Sequence, residues 1–170
     1  NTSAQYAKTF FETLPFDAIT VAPYMGKDSI EPFLAYQNKW TIVLGLTSNP
    51  GSQNFEQQKL ENGQFLYESV LEQVASWGSP EQLMFVVGAT KAKELESIRK
   101  IIPAHFLLVP GVGAQGGSLS EVTAYGKNNE VGLLINASRA IIFASSGANF
   151  AEDAAIAAKG YADEMKALLS

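Results

Sequence analysis

Five short apolar runs punctuate the chain, over residues 18–24, 40–46, 83–87, 105–109 and 131–135. Each is continuous rather than alternating, which is how strands covered on both faces of a parallel sheet read. The segments between them carry helical spacing. Leu95, Ile98, Ile101 and Ile102 fall on one face, with Glu96 and Lys100 paired at i, i+4. Ser79-Pro80-Glu81-Gln82 offers a cap, a first-turn proline and a glutamine three residues on, and Ser118-Leu119-Ser120-Glu121 reads as a capping box. A first helix is expected over 2–14, and a last one from Asn149 to the end with Glu152 in its first turn. The order αβαβαβαβαβα specifies right-handed crossover units in one parallel sheet. The pattern fits either a doubly wound sheet of flavodoxin type or the latter part of an eight-stranded barrel of roughly 250 residues. In both, the functional end is the carboxyl edge of the strands.

The sequences that leave that edge are rich in glycine, small hydroxyls and amides: Pro23-Tyr24-Met25-Gly26, Thr47-Ser48-Asn49-Pro50-Gly51, Gly88-Ala89-Thr90, Pro110 to Gly117, and Asn136-Ala137-Ser138-Arg139. Glycine lets backbone N–H groups approach a ligand, and a glycine-rich turn feeding a helix suits a phosphate. The fourth loop has glycine at 111, 113, 116 and 117. Its spacing matches neither a Rossmann fingerprint nor a Walker loop, and a plain strand-to-helix turn is the bland alternative. Arg139 follows the last apolar run; it is suited to bidentate phosphate binding, or else to lying on the surface beside Ile141 and Phe143. In a barrel these two loops are the usual phosphate site. His105, the only histidine, precedes a strand at the opposite end and reads as structural. Asp28 with Glu31 reads as a helix cap, and the tryptophans and phenylalanines as packing. No acid–base cluster stands at the strand ends.

Composition narrows the partners. The 170 residues are 46% hydrophobic and 17% charged, with no cysteine and a formal charge of −5. One compact unit over 1–170 is expected, with enough apolar material for a core. The acidic balance and the lack of any basic block disfavour nucleic acid, while a small anion can be held by local donors. No apolar run reaches the roughly 18 residues that span a bilayer. Without cysteine there are no disulfides or thiolate metal sites, which fits a reducing, cytoplasmic setting, and with a single histidine no metal is expected. Asn1-Thr2-Ser3 reads as an internal start, with residues missing upstream.

The loop Pro110-Gly111-Val112-Gly113-Ala114-Gln115-Gly116-Gly117 resembles the phosphate loop of orotidine 5′-phosphate decarboxylases. Val21-Ala22-Pro23-Tyr24-Met25-Gly26-Lys27-Asp28-Ser29, Leu46-Thr47-Ser48-Asn49, Phe85-Val86-Val87-Gly88-Ala89-Thr90 and Asn136-Ala137-Ser138-Arg139-Ala140-Ile141 resemble the longer, bacterial type of that family. The likeness keeps its order along essentially the whole chain. It implies an α/β fold, a partial (β/α)₈ TIM barrel of about strands four to eight, and a cofactor-free lyase of UMP biosynthesis. The substrate would be orotidine 5′-monophosphate, the product UMP, and the partner a second copy or an upstream fragment of the same protein. By the same resemblance, Gln115 and Arg139 hold the 5′-phosphate with the Ser138 backbone beside it. Thr47 and Ser48 face the pyrimidine amide edge, Pro110 packs by the pyrimidine, and Thr2 reaches the ribose of the neighbouring subunit's ligand.

The family's alternating lysines and aspartates, which stabilise and protonate a C6 carbanion, are expected before Asn1. The 170 residues alone are therefore expected to grip a nucleotide without turning it over. A barrel reduced to five strands is also expected to expose two sheet edges and part of its interior. The competing expectations are a non-catalytic phosphosugar- or nucleotide-binding domain, and an interaction module assembled through those edges.

Overall fold

A computed structural model describes residues 2–113 and 116–170. Helix α1 (Thr2–Lys8) continues into a π-helical turn (Thr9–Thr13) and leads to β1 (Ala18–Val21). There follow α2 (Lys27–Leu34), β2 (Trp40–Leu46), α3 (Leu66–Ala75), β3 (Leu83–Val87), α4 (Leu95–Ile101), β4 (Phe106–Pro110), α5 (Leu119–Gly126), β5 (Leu133–Asn136), α6 (Ser138–Ile142) and α7 (Phe150–Leu169). Short 3₁₀ turns precede α3 and α4.

The five strands form one sheet in the order β1-β2-β3-β4-β5, and every neighbouring pair is parallel. A doubly wound sheet reverses its strand order at a switch point; this one adds each strand beside the last, so the flavodoxin alternative is not what forms. The register aligns Val21, Val43, Phe85, Leu107 and Leu133 on one face. That face meets the helices: Leu71 and Val74 of α3, Leu95 and Ile98 of α4 and Leu119 and Val122 of α5 join the main core with it. Burying each such large side chain contributes roughly 1.5–3 kcal/mol relative to leaving it exposed. The opposite face carries Ile42, Met84 and Val86, with Trp40, Leu44, Phe106 and Leu108 packed around them, and this cluster contains strand residues only. The continuous apolar runs are thus covered by helices on one side and by one another on the other. Leu134, on edge strand β5, is 48% exposed.

The helix start expected at Ser79 does not form. Gln82 N and Leu83 N both donate to Ser79 O at 3.1 Å, so the segment is a turn that enters β3 at once. Cap, proline and glutamine suit a tight turn as well as a helix, and the apolar demand of β3 decides between them. At α2 the capping position is Gly26, with φ of 92°, and Asp28 lies in the first turn. Ser118 does cap α5, accepting from Glu121 N at 3.3 Å. Several aromatic residues expected in packing are open to solvent instead, among them Phe55, Phe143 and Phe150.

Candidate functional site

A cavity of about 230 Å³ opens at the carboxyl ends of β4 and β5, lined by Pro110, Gly111, Val112, Asn136, Ala137, Ser138 and Arg139. Two loops far apart in sequence meet there because β4 and β5 pair in register, Pro110 against Asn136. The glycine loop folds back on itself: Gly113 N donates to Gly117 O at 3.0 Å and Gly117 N to Gly111 O at 3.3 Å. The close approach of Gly117 to Gly111 O leaves no room for a Cβ. Ser138 and Arg139 open α6, where the first backbone N–H groups have no carbonyl of their own helix to meet. The Ser138 hydroxyl donates to Asn136 Oδ1 at 2.9 Å. Arg139 is exposed and has no carboxylate partner among the described residues. Such a guanidinium beside a hollow with backbone donors suits a bidentate oxyanion. Gln115 lies outside the described residues.

Thr47 and Ser48 stand at the end of β2, and the structure separates them. Thr47 N donates to Glu56 Oε2 at 2.7 Å, and the Thr47 hydroxyl lies within donating reach of Asn49 Oδ1 at 2.6 Å and Glu56 Oε1 at 2.9 Å. The Ser48 hydroxyl is buried with no partner, and it lies so close to Gly88 that only glycine fits at that position. Glu56, 9% exposed, is the residue that sequence reasoning missed. A lone glutamate after a turn carries no sign of burial; only its carboxylate's grip on Thr47 reveals its place. Burial, and then the Glu56 charge, push the Tyr24 phenol above its ordinary range. Thr2 opens α1, is exposed, and does not line the cavity.

A larger hollow, about 700 Å³, lies at the amino ends of the strands, bordered by Trp40, Phe106, Glu81, Arg99 and Lys127. Its size does not make it the functional site, because its arginine is already committed. Arg99 Nε donates to Gly126 O at 2.6 Å, Nη1 to His105 O at 2.6 Å and Ile102 O at 3.2 Å, and Nη2 to Gly132 O at 2.8 Å. Burial brings its pKa down to about 10. His105 is buried with its ring 5.3 Å from that of Phe85, and neither ring nitrogen has a partner. Burial, then the Arg99 charge, lower its pKa. Among the described residues no group of three or more histidine, aspartate or glutamate side chains is placed to hold a metal ion, and no helix is long and apolar enough to cross a membrane.

Known proteins resemble this chain in sequence and in fold. A family model described as "Orotidine 5'-phosphate decarboxylase / HUMPS family" matches residues 1–154. The chain is 54% identical to the orotidine 5′-phosphate decarboxylase of Bacteroides fragilis over 173 residues, covering 99% of this chain and 63% of that protein. It is 61% identical to that of Flavobacterium johnsoniae over 154 residues, covering 91% and 56%. The chain thus spans about three-fifths of the length of the curated relatives it matches. Among solved structures, Leishmania donovani UMP synthase superposes with a TM-score of 0.88 at 38% identity, over 98% of this chain and 36% of that one. Leishmania donovani OMP decarboxylase gives 0.84 at 34%, over 99% and 63%.

Proposed function

The chain belongs to the orotidine 5′-phosphate decarboxylase / HUMPS family, and from that premise we propose that it is the nucleotide-gripping part of an enzyme converting orotidine 5′-monophosphate to UMP and CO₂. The observation that carries this reading is the meeting of Pro110, Gly111, Ser138 and Arg139 around one cavity at the carboxyl edge. Arg139, the Ser138 backbone and Gln115 bind the 5′-phosphate. The Ser48 hydroxyl, orphaned while Glu56 occupies Thr47, takes the amide edge of the pyrimidine, and Pro110 packs beside its ring. Thr2 belongs to the ribose site of a second copy, so the working unit is a cytoplasmic homodimer.

In this reading residues 1–170 form one unit. The sequential strand order, with helices on a single face, supports an arc of about strands four to eight of a (β/α)₈ barrel. The lysines and aspartates that stabilise and protonate the C6 carbanion come from the part of the family's length that this sequence does not span. Binding energy collected at the phosphate, far from C6, is then available to hold the pyrimidine against those charges, and no cofactor takes part.

The test is CO₂ release from carboxyl-labelled orotidine 5′-monophosphate by the full-length protein containing this sequence. Turnover without added metal or cofactor is expected. UMP binding without CO₂ release would replace this reading with the second one, a non-catalytic nucleotide-binding domain, which the same cavity also supports.

A further inference from the structure

The two arms of the phosphate cavity share a neighbour from the far end of the chain. Gly113, with φ of +74°, faces the Tyr161 phenol so closely that a Cβ there would overlap it, and the same Cβ would stand 3.6 Å from Ala140 Cβ. Tyr161 therefore lies where the glycine loop meets α6, the helix that carries Arg139. Behind it, a second cavity of about 230 Å³ is bordered by Leu119 at the start of α5, Ala137 and Ile141 around α6, and Tyr161 itself. Helix α7 is docked through the same side: Tyr161, Met165 and Leu168 pack against the main core, and the Thr123 hydroxyl on α5 lies 3.7 Å from Met165 Sδ. The family model ends at residue 154, so this contact comes from the stretch of α7 beyond it.

We propose that Tyr161 is a positioning residue for phosphate binding: its phenol, meeting Gly113 through the hydroxyl, sets the spacing between the glycine turn at Gly113 and the Arg139 helix, so that one phosphate meets both. The proposal rests on reading that cavity as the phosphate site. A glycine turn at positive φ has no side chain of its own to hold it, and α6 spans only Ser138–Ile142. A rigid aromatic side chain anchored on the long α7 supplies the stop against which both rest. Without that support, losing one charge-assisted hydrogen bond to the phosphate weakens binding roughly 10- to 100-fold.

The experiment measures UMP and uridine binding by calorimetry to the full-length protein, as wild type and as the Tyr161→Phe, Tyr161→Leu, Tyr161→Ala and Arg139→Ala variants. Tyr161→Phe removes the hydroxyl that meets Gly113 but keeps the ring, and should weaken UMP several-fold, less than Tyr161→Leu does. Tyr161→Leu keeps α7 apolar but withdraws the phenol from Gly113; UMP binding should weaken roughly 10- to 100-fold while uridine binding holds. A merely structural residue would lower the melting temperature, or weaken both ligands alike, leaving their ratio unchanged; that result overturns the proposal. If Tyr161→Ala fails to fold, Tyr161→Leu decides. A preference for UMP that Arg139→Ala abolishes but both smaller Tyr161 variants keep would overturn the Tyr161 proposal alone. A wild-type protein with no preference for UMP would overturn the phosphate reading beneath it.

Discussion

Arg99 and Arg139, the only arginines of the chain, sit at opposite ends of one sheet. Arg99, at the amino edge, is half-buried and donates to four backbone carbonyls drawn from the ends of α4 and α5 and the approaches to β4 and β5. Arg139, at the carboxyl edge, is exposed, faces a hollow, and has no carboxylate partner among the described residues. The larger cavity adjoins the first and the smaller the second. A guanidinium whose three nitrogens all donate to backbone carbonyls stabilises the fold; one left open beside backbone donors is available to a ligand. What separates the two arginines is unmet hydrogen-bonding capacity, not the volume beside them.

The contrast can be broken at either end. Arg99→Ala should be the most damaging change, because each buried carbonyl left without a donor costs about 1–3 kcal/mol. Gly132 O keeps the Leu107 N–H, but the carbonyls of Gly126, Ile102 and His105 lose the Arg99 donor together, so denaturant unfolding should show a loss of about 3 kcal/mol. Arg139→Ala should leave the unfolding midpoint within about 0.5 kcal/mol of wild type and weaken UMP roughly 10- to 100-fold, or about 1.4–2.8 kcal/mol. If Arg139 proves the stabilising residue and Arg99 the ligand-binding one, the assignment is inverted. Ser48→Ala removes a buried hydroxyl that has no partner in the unliganded protein. It should cost no stability, yet weaken UMP several-fold, about 1 kcal/mol; a stability loss without an affinity loss would contradict this.

The smallest effect is a pH dependence confined to the amino edge. The folded-state pKa of His105 lies below its ordinary value, through burial and the Arg99 charge, with Glu81 opposing. The unfolded chain therefore takes up a proton first as the pH falls. Stability should be full above about pH 6.5 and decline below it, by at most about 1.4 kcal/mol per pH unit for one proton. His105→Leu should flatten that decline, and an unchanged slope in unfolding measured from pH 7 to 5 would show that His105 is not its source.

Much of this was legible in the sequence. The five apolar runs became five strands, because continuous burial leaves a continuous apolar signature. Their order in the sheet did not follow, since alternating strands and helices suit either a sequential or a doubly wound sheet. The Ser79 turn reads in sequence as a helix start because caps and turns use the same residues. Pro110, Ser138 and Arg139, expected from the strand-end loops, line one cavity, because such loops announce themselves in sequence. Glu56, Arg99 and Tyr161 were not assigned their roles, since each depends on a contact distant in sequence: Glu56 with Thr47, Arg99 with Gly126 and Gly132, Tyr161 with Gly113. A buried glutamate and an exposed one look alike until the chain folds.

The most direct measurement is a crystal structure of the full-length protein with UMP. The account predicts the phosphate oxygens within hydrogen-bonding distance of the Arg139 guanidinium and the backbone N–H groups at the start of α6. A phosphate found instead in the amino-edge hollow beside Lys127, or one that Arg139 does not touch, would contradict it.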